Sequence, residues 1–359
     1  MAGFVAGRLL SGFLVLIGVS VLVFFLFQLV RFNPAYASAG ESATQETIDN
    51  ITKDLGLDLP IGKQLLLYIN DLSPLSFHNS NEEARNYLDA DKYNFFKLIH
   101  FGESVLVLKQ PYLGRSFQSG RSVAGLLNSV IPNTLVLALT AIMIATIIGV
   151  ILGVFSAVVN GSSTDRLITT VSVLGISFPS FFAAIVLQLI FAYLLSEYTG
   201  LHLTGNLYEI HPYTGETYLA IENLLLPALA LGIRPIAVIT QITRSSMMDV
   251  LHADYIRTAK AKGLSNGPIV YKHALKNAFI PVLTSITGWL ASLLAGAFFI
   301  EVVFNYNGLG LETVNAIRAK DIPVATGAVM YIAIVFIVIN LITDILYSFV
   351  DPRVSVSKS

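Results

Sequence analysis

Residues 244–281 read RSSMMDVLHADYIRTAKAKGLSNGPIVYKHALKNAFIP. This is the only long polar stretch in the second half of the chain, and apolar runs of membrane length flank it on both sides. Arg244, Arg257, Lys260, Lys262, Lys272 and Lys276 make it basic. Met247, Met248, Leu251, Tyr255, Ala259 and Lys262 recur at helical spacing and mark one face. Asp254 is placed to cap a turn, and Gly263 to end one in the left-handed conformation closed to most side chains. Ser265 or Asn266 then caps a second helix with Pro268 in its first turn, where a missing N–H costs nothing. Pro281 marks the junction with the next apolar run. Two or three short helices around a tight glycine turn are therefore expected, presenting a surface rather than bridging a gap. An apolar stripe outside a bilayer needs a cover: its own second helix, the inner ends of the spans, or a partner protein. A helix-turn-helix DNA reader has a similar outline, but membrane spans on both sides argue against it, and no nucleic acid is expected.

Composition decides the class. The chain is 54% hydrophobic and 13% charged, with a mean hydropathy of +0.70, whereas soluble domains carry about 25% charged residues. The reading is an all-α integral membrane protein with six transmembrane helices. Without cysteine there is no disulfide and no thiol chemistry.

Leu9 to Val30 is an apolar run without charge between Arg8 and Arg31. Ala37-Ser38-Ala39 resembles a cleavage site, but the run exceeds a signal-peptide core of roughly 7–15 residues, so it reads as the first span. Residues 1–31 thus hold a cytoplasmic amino terminus and the first helix. Residues 32–129 form an extracytoplasmic loop subdomain between helices 1 and 2. Residues 130–350 hold the remaining spans: Thr134–Val159, Leu167–Leu195, Leu224–Ile242, Val282–Val303 and Val324–Val350. The segment 244–281 is a loop within this core, and 351–359 is a tail. Pro179 lies inside the third run, where the helix is expected to begin or kink. Basic residues concentrate in 160–166, 244–281 and the tail, on the side of Arg8, while the opposite short loops hold only Arg318 and Lys320. By the positive-inside rule, both termini and the 244–281 loop are cytoplasmic and the long first loop is outside.

No phosphate loop is present: Gly62-Lys63 is followed by Gln64 and has the wrong glycine spacing. The chain is therefore expected to hold no cofactor and no ATP of its own. No His-Glu-x-x-His pair and no G-x-S-x-G elbow occur, so no catalytic residue and no metal site are assigned. His78, His100, His202, His211, His252 and His273 are scattered and read as solvated surface residues. Arg234, Glu301 and Asp344 are the charges within or near spans. Arg234 either lies in a structural pairing or faces a watery path; Glu301 and Asp344 read as structural caps.

Arg257-Thr258-Ala259-Lys260-Ala261-Lys262-Gly263-Leu264, followed by Ala274 to Pro281, resembles the coupling loop of binding-protein-dependent ABC importer permeases. It is similar to the first permease subunit type of the oligopeptide and dipeptide branch. Leu55-Gly56-Leu57-Asp58 with Pro60 and Gln64, Leu113-Gly114-Arg115-Ser116 and Ser119-Gly120-Arg121 carry the same resemblance. So do Phe178-Pro179-Ser180-Phe181-Phe182, Arg244-Ser245-Ser246-Met247, Glu301 with Gly308-Leu309-Gly310, and Asn340 through Asp344 to Asp351-Pro352-Arg353. Residues of about 73–109 look like an insertion relative to shorter relatives.

The resemblance implies the six-helix type I ABC importer permease fold in a bacterial inner membrane. It implies a peptide substrate, a second homologous permease, two ATPase subunits that bind ATP and Mg, an extracytoplasmic peptide-binding protein, and surrounding membrane lipid. This chain is then a transport subunit and not itself an enzyme. The ATPase-coupling residues are expected to be Asp254, Tyr255, Arg257, Thr258, Ala259, Lys260, Gly263 and Leu264. Phe178, Phe181, Phe182 and Arg234 are candidates for the translocation path, although span aromatics more often pack against lipid or a neighbouring helix. The wider family's coupling motif begins Glu-Ala-Ala; here Arg257-Thr258-Ala259 stands in its place, as is common in the peptide branch. A glutamate contact therefore does not transfer to Arg257. The same architecture importing nickel chelates, glutathione or sugars, or an ion-coupled transporter working alone, are the alternative readings.

Overall fold

The computed structural model describes residues 2–29, 44–54, 56–82 and 84–350. Ala37-Ser38-Ala39, Leu55 and the sequence from Asp351 onward lie outside the described residues. In chain order the elements begin with helices α1 (Ala2–Leu29), α2 (Gln45–Asp54) and α3 (Ile61–Leu72). Strands β1 (Leu75–Asn79), β2 (Phe95–Phe101) and β3 (Ser104–Lys109) follow. Helix α4 is Val123–Val158, α5 is Ser163–Ser177, and α6 (Ser180–Leu187) runs on as a π-helical turn over Gln188–Leu194. A short hairpin, β4 (Tyr208–Ile210) and β5 (Thr217–Leu219), precedes α7 (Glu222–Leu251) and α8 (Asp254–Ala261). A helix opening at Asn266–Pro268 passes through a π turn over Ile269–Ala274 into α9 (Leu275–Phe304). Helices α10 (Leu309–Arg318) and α11 (Ile322–Val350) close the described chain.

Among the described residues, five helical stretches are long and apolar enough to cross a membrane: Gly7–Gln28, Val123–Val158, Glu222–Leu251, Asn266–Phe304 and Ile322–Ile345. The α5–α6 pair, bent by 111° at its break, makes a sixth if counted as one span. Phe178 and Pro179 are extended at that break, so the expected kink at the proline is present. Two boundaries differ from the hydropathy reading. Helix α7 continues to Leu251, and Pro281 lies inside α9 rather than at its start. Hydropathy marks where a helix meets lipid, whereas local backbone breaks and caps end the helix itself. The link between α7 and the helix opening at Asn266 is therefore much shorter than 244–281 and holds α8.

Contacts divide the chain into two compact units, Val130–Leu311 with Val335 onward, and Ala6–Ser129 with Glu312–Ile334. In the first unit α4, α7 and α9 share one apolar core, with Leu137, Ala141, Leu231, Ile239, Ala297 and Ile300 buried in it. At the end of α9, Glu301 is fully buried. Its carboxylate accepts from Thr134 Oγ1 at 2.6 Å, Gly310 N at 2.6 Å and Leu311 N at 3.1 Å. Thr134 Oγ1 in turn accepts from Leu309 N at 2.8 Å. Glu301 thus satisfies the free N–H groups that open α10, the structural cap expected of it. A Cβ at Gly308 would lie 2.3 Å from the Glu301 carboxyl carbon, and one at Gly310 would lie 2.5 Å from Phe298 Cα. The Gly308-Leu309-Gly310 motif is what lets the backbone wrap that carboxylate.

The second unit holds an antiparallel sheet in the order β1-β3-β2. The sequence reading assigns no strand to residues 73–109, so the sheet is an addition to the helical plan. The strands β2 and β3 join through Gly102-Glu103, with Gly102 at φ 61° and Phe101 paired to Ser104. That is the glycine-first two-residue loop of a β-hairpin. Val105 and Val107 point inward against Leu88 and Tyr93, and full burial of each valine contributes about 1.5–3 kcal/mol. His78 shares the inward register of β1 and is buried, not solvated as expected, with Nε2 3.0 Å from Ser76 Oγ. Strand alternation, invisible when histidines are read one at a time, puts it there.

Several charged contacts tie the sheet and its loops to α3 and the turn before it. Tyr93 Oη donates to Asp71 at 2.6 Å, Lys92 reaches the same carboxylate at 3.2 Å, and Lys109 donates to the Asp71 carbonyl at the end of α3. Burial pulls the Lys109 ammonium down to about 8. The Arg85 fork holds Asp58 at 2.6 Å through both nitrogens and keeps that carboxyl below its usual range. Gln64 Nε2 donates to the carbonyls of Leu57 and Leu59, which fixes the turn before α3. In the same unit Ser116 Oγ donates to Asp321 at 2.5 Å, while Phe117 N and Gln118 N also point at that buried carboxylate. The Leu113-Gly114-Arg115-Ser116 motif is thus a clasp on the residue preceding α11.

Candidate coupling surface and translocation path

Helix α7 ends at Leu251 with His252 as its C-cap, and Ala253 is extended at φ −66°, ψ 150°. Helix α8 begins at Asp254, so Ala253 occupies the N-cap position and makes no side-chain cap. Asp254 does not cap the turn as expected; it sits in the first helical turn, where its charge suits the helix dipole. The extended residue also resets the helical phase. The stripe predicted through Tyr255 and Lys262 does not persist: Tyr255 is 44% exposed and Lys262 is exposed. The buried residue of α8 is Ile256, which sequence reasoning missed. It packs in a cluster with Val154 and Ala157 of α4, Met247 of α7, and Ile269, Val270 and Ala274.

The cover left open in the sequence is therefore the chain itself. Ala259 and Leu264 also pack on this cluster. Asp254, Arg257, Thr258 and Lys260 face outward, with the Asp254 and Arg257 side chains 95% and 74% exposed. The Arg257–Asp254 pair at 3.4 Å spans one turn and, so exposed, contributes little. Tyr255 Oη accepts from Asn277 Nδ2 at 2.8 Å, tying α8 to the start of α9.

Gly263 has φ 81°. Its N–H reaches the Lys260 carbonyl at 3.0 Å, and Leu264 N reaches the Ala259 carbonyl at 3.3 Å. These two bonds form a Schellman C-cap, with Leu264 and Ala259 as its hydrophobic contact. Ser265 is extended at the start of the next helix and makes no side-chain cap, and Pro268 lies in the first turn. The stretch is therefore a short amphipathic helix with one face anchored, a fixed glycine exit and a polar outer face.

At the break of the third span, Phe178 and Phe182 stack with ring centroids 5.5 Å apart. Phe178, Phe181 and Phe182 are each about half exposed. Arg234 is exposed on α7, among buried neighbours Gly232 and Pro235, and among the described residues it makes no ion pair or ring contact. The structure brings Phe178 and Phe182 together and does not join Arg234 to them.

Two functional-looking contacts escaped the sequence. Arg244 forks onto Asp165, and Ser116 clasps Asp321; the partners are 79 and 205 residues apart. At those separations a single sequence carries no signal of contact. Among the described residues no cluster of His, Asp and Glu could hold a metal ion.

Comparison with known proteins places these features in a family. Residues 149–356 match the family described as "Binding-protein-dependent transport system inner membrane component", and residues 1–82 match its N-terminal region. The chain is 33% identical to the dipeptide transport system permease protein DppB of Alkalihalophilus pseudofirmus, with 99% of both chains covered. It is also 33% identical to a di/tripeptide transport system permease protein DppB of Pseudomonas aeruginosa, again over 99% of both. A crystal structure of an amino acid ABC transporter with histidines covers 64% of this chain and 95% of its own, at 18% identity and a TM-score of 0.43. The chain belongs to the family of binding-protein-dependent transport system inner membrane components.

Proposed function

We propose that this chain is the peptide-conducting permease subunit of an ATP-driven importer, and that α8 with its Gly263 exit is the lever on which an ATPase subunit acts. Peptide as the cargo rests on the names of the full-length relatives. The remaining parts of the machine follow from the family architecture. A second homologous permease completes the path, two ATPase subunits bind ATP and Mg, and an extracytoplasmic binding protein delivers the peptide. Both termini and α8 face the cytoplasm of a bacterial inner membrane. Phe178, Phe181, Phe182 and Arg234 line the path.

One observation carries the lever reading. Helix α8 is anchored on one side by the buried Ile256 and leaves Asp254, Arg257, Thr258 and Lys260 free on the other. A short helix resists bending because its hydrogen bonds are internal, so force on its outer face passes to Met247, Val154 and Ala274 beneath it. The chain has no native cysteine, which makes the test clean. Single cysteines at Arg257, Thr258 and Lys260 are expected to cross-link to an ATPase subunit in the assembled complex, and a cysteine at Ile256 is not. Absence of any cross-link from the outer face, in a complex that hydrolyses ATP, would contradict the assignment.

A further inference from the structure

Asp165 is buried in the first turn of α5, although the turn before it, at Gly161, opens to solvent. Four groups converge on its carboxylate. Arg244 Nε donates to Oδ1 at 2.7 Å and Arg244 Nη2 to Oδ2 at 2.8 Å. Ser156 Oγ donates to Oδ1 at 2.5 Å and Gly161 N to Oδ2 at 2.9 Å. Arg244 Nη2 also reaches Asn160 Oδ1 at 3.1 Å. A single carboxylate therefore joins α4, the turn after it, α5 and α7. The paired fork geometry fixes direction as well as distance, which a lysine could not do.

The position of this node matters. Arg244 lies on α7 one turn before Met247, and Met247 is one of the residues that Ile256 of α8 packs against. Helix α7 is unbroken to Leu251, so a displacement of α8 reaches Arg244 through continuous helix and close packing. Asp165 opens α5, whose other end is the 111° bend into α6. Helices α4 and α7 already touch at backbone distance, since a Cβ at Gly153 would lie 2.7 Å from the Thr240 carbonyl. Packing of that kind holds the helices together without the ion pair; the pair adds a directional tie to α5.

We propose that the Asp165–Arg244 pair is a positioning joint that passes the movement of α8 to the bent span α5–α6. Asp165 and Arg244 act through the helices they connect and touch no substrate. This inference rests on the lever reading of α8 given above. The joint sets how many ATP molecules are hydrolysed for each peptide imported.

The test uses the whole complex in proteoliposomes, with whichever of radiolabelled dialanine and trialanine the wild type takes up. Asp165→Asn is expected to raise the ATP hydrolysed per peptide by about tenfold, a typical coupling between sites. The double variant Asp165→Asn with Arg244→Gln should be no worse than either single one, because both changes break one joint. A second readout needs no peptide: ATP-dependent change in the labelling of Ile185→Cys on α6, present in the wild-type joint, should vanish in Asp165→Asn. Should that variant fail to assemble, Arg244→Lys keeps the charge, loses the fork and carries both readouts. An unchanged ATP-to-peptide ratio and unchanged Ile185→Cys labelling in an assembled variant would overturn the joint. Failure of the wild type to import either peptide, with ATP-dependent labelling intact, would instead strike the peptide reading alone.

Discussion

Replacing Glu301 with alanine is expected to destabilise the α9–α10 junction more than any surface change. The carboxylate is fully buried and holds Thr134 Oγ1, Gly310 N and Leu311 N. Alanine leaves these donors without their acceptor in a buried site, and each unpaired buried group costs about 1–3 kcal/mol. A loss of about 3 kcal/mol or more is a large part of the roughly 5–15 kcal/mol that separates folded from unfolded states. Glu301→Gln keeps one acceptor but turns an NH2 group toward donors, so it should fall between wild type and alanine. Thermal unfolding of the purified full chain checks the order. An alanine variant that melts with the wild type would show that the cap is dispensable.

Gly263→Val is expected to abolish most substrate uptake while leaving membrane insertion and ATP hydrolysis by the complex in place. The cause is the backbone alone: φ is 81°, and a Cβ there would meet nothing within 4 Å. A β-branched residue in that conformation carries strain of about 1–3 kcal/mol, or about 5- to 150-fold in an equilibrium. The chain relieves it by breaking the Schellman pair of hydrogen bonds, which lets α8 exit at another angle. Asparagine tolerates the left-handed conformation better than other non-glycine residues, so Gly263→Asn should keep most uptake. Uptake and ATP hydrolysis measured side by side separate the two variants. Equal uptake by valine and glycine forms would remove Gly263 from the lever.

What the sequence disclosed depended on how far apart the interacting residues lie. Spans were legible because a bilayer demands long apolar runs whatever packs on them. Gly263 and Pro179 were legible because backbone restriction is a property of one residue. Ile256 was not, because the extended Ala253 shifts the helical phase and no periodicity crosses that break. The strands between Leu75 and Lys109 were missed although Gly102-Glu103 between Phe95–Phe101 and Ser104–Lys109 is a hairpin signal. Their apolar residues face outward as well as inward: Phe96 is 75% exposed and Phe77 55% exposed. Strand β1 alternates with its apolar side outward, and β2 and β3 carry apolar residues on both faces, so none shows the apolar-in, polar-out pattern. The Glu301 motif was recognisable as Glu301 with Gly308-Leu309-Gly310, but only the fold shows that the glycines make room for the carboxylate. The Asp165–Arg244 and Ser116–Asp321 contacts gave no warning, since each joins distant segments.

The most direct measurement is uptake by proteoliposomes in which this chain is reconstituted alone, with its permease and ATPase partners, or with those partners and the binding protein. Peptide accumulation is expected in the full assembly only, driven by ATP, with no hydrolysis by this chain alone. Peptide uptake by the single chain, or ATP turnover by it unaided, would contradict the account.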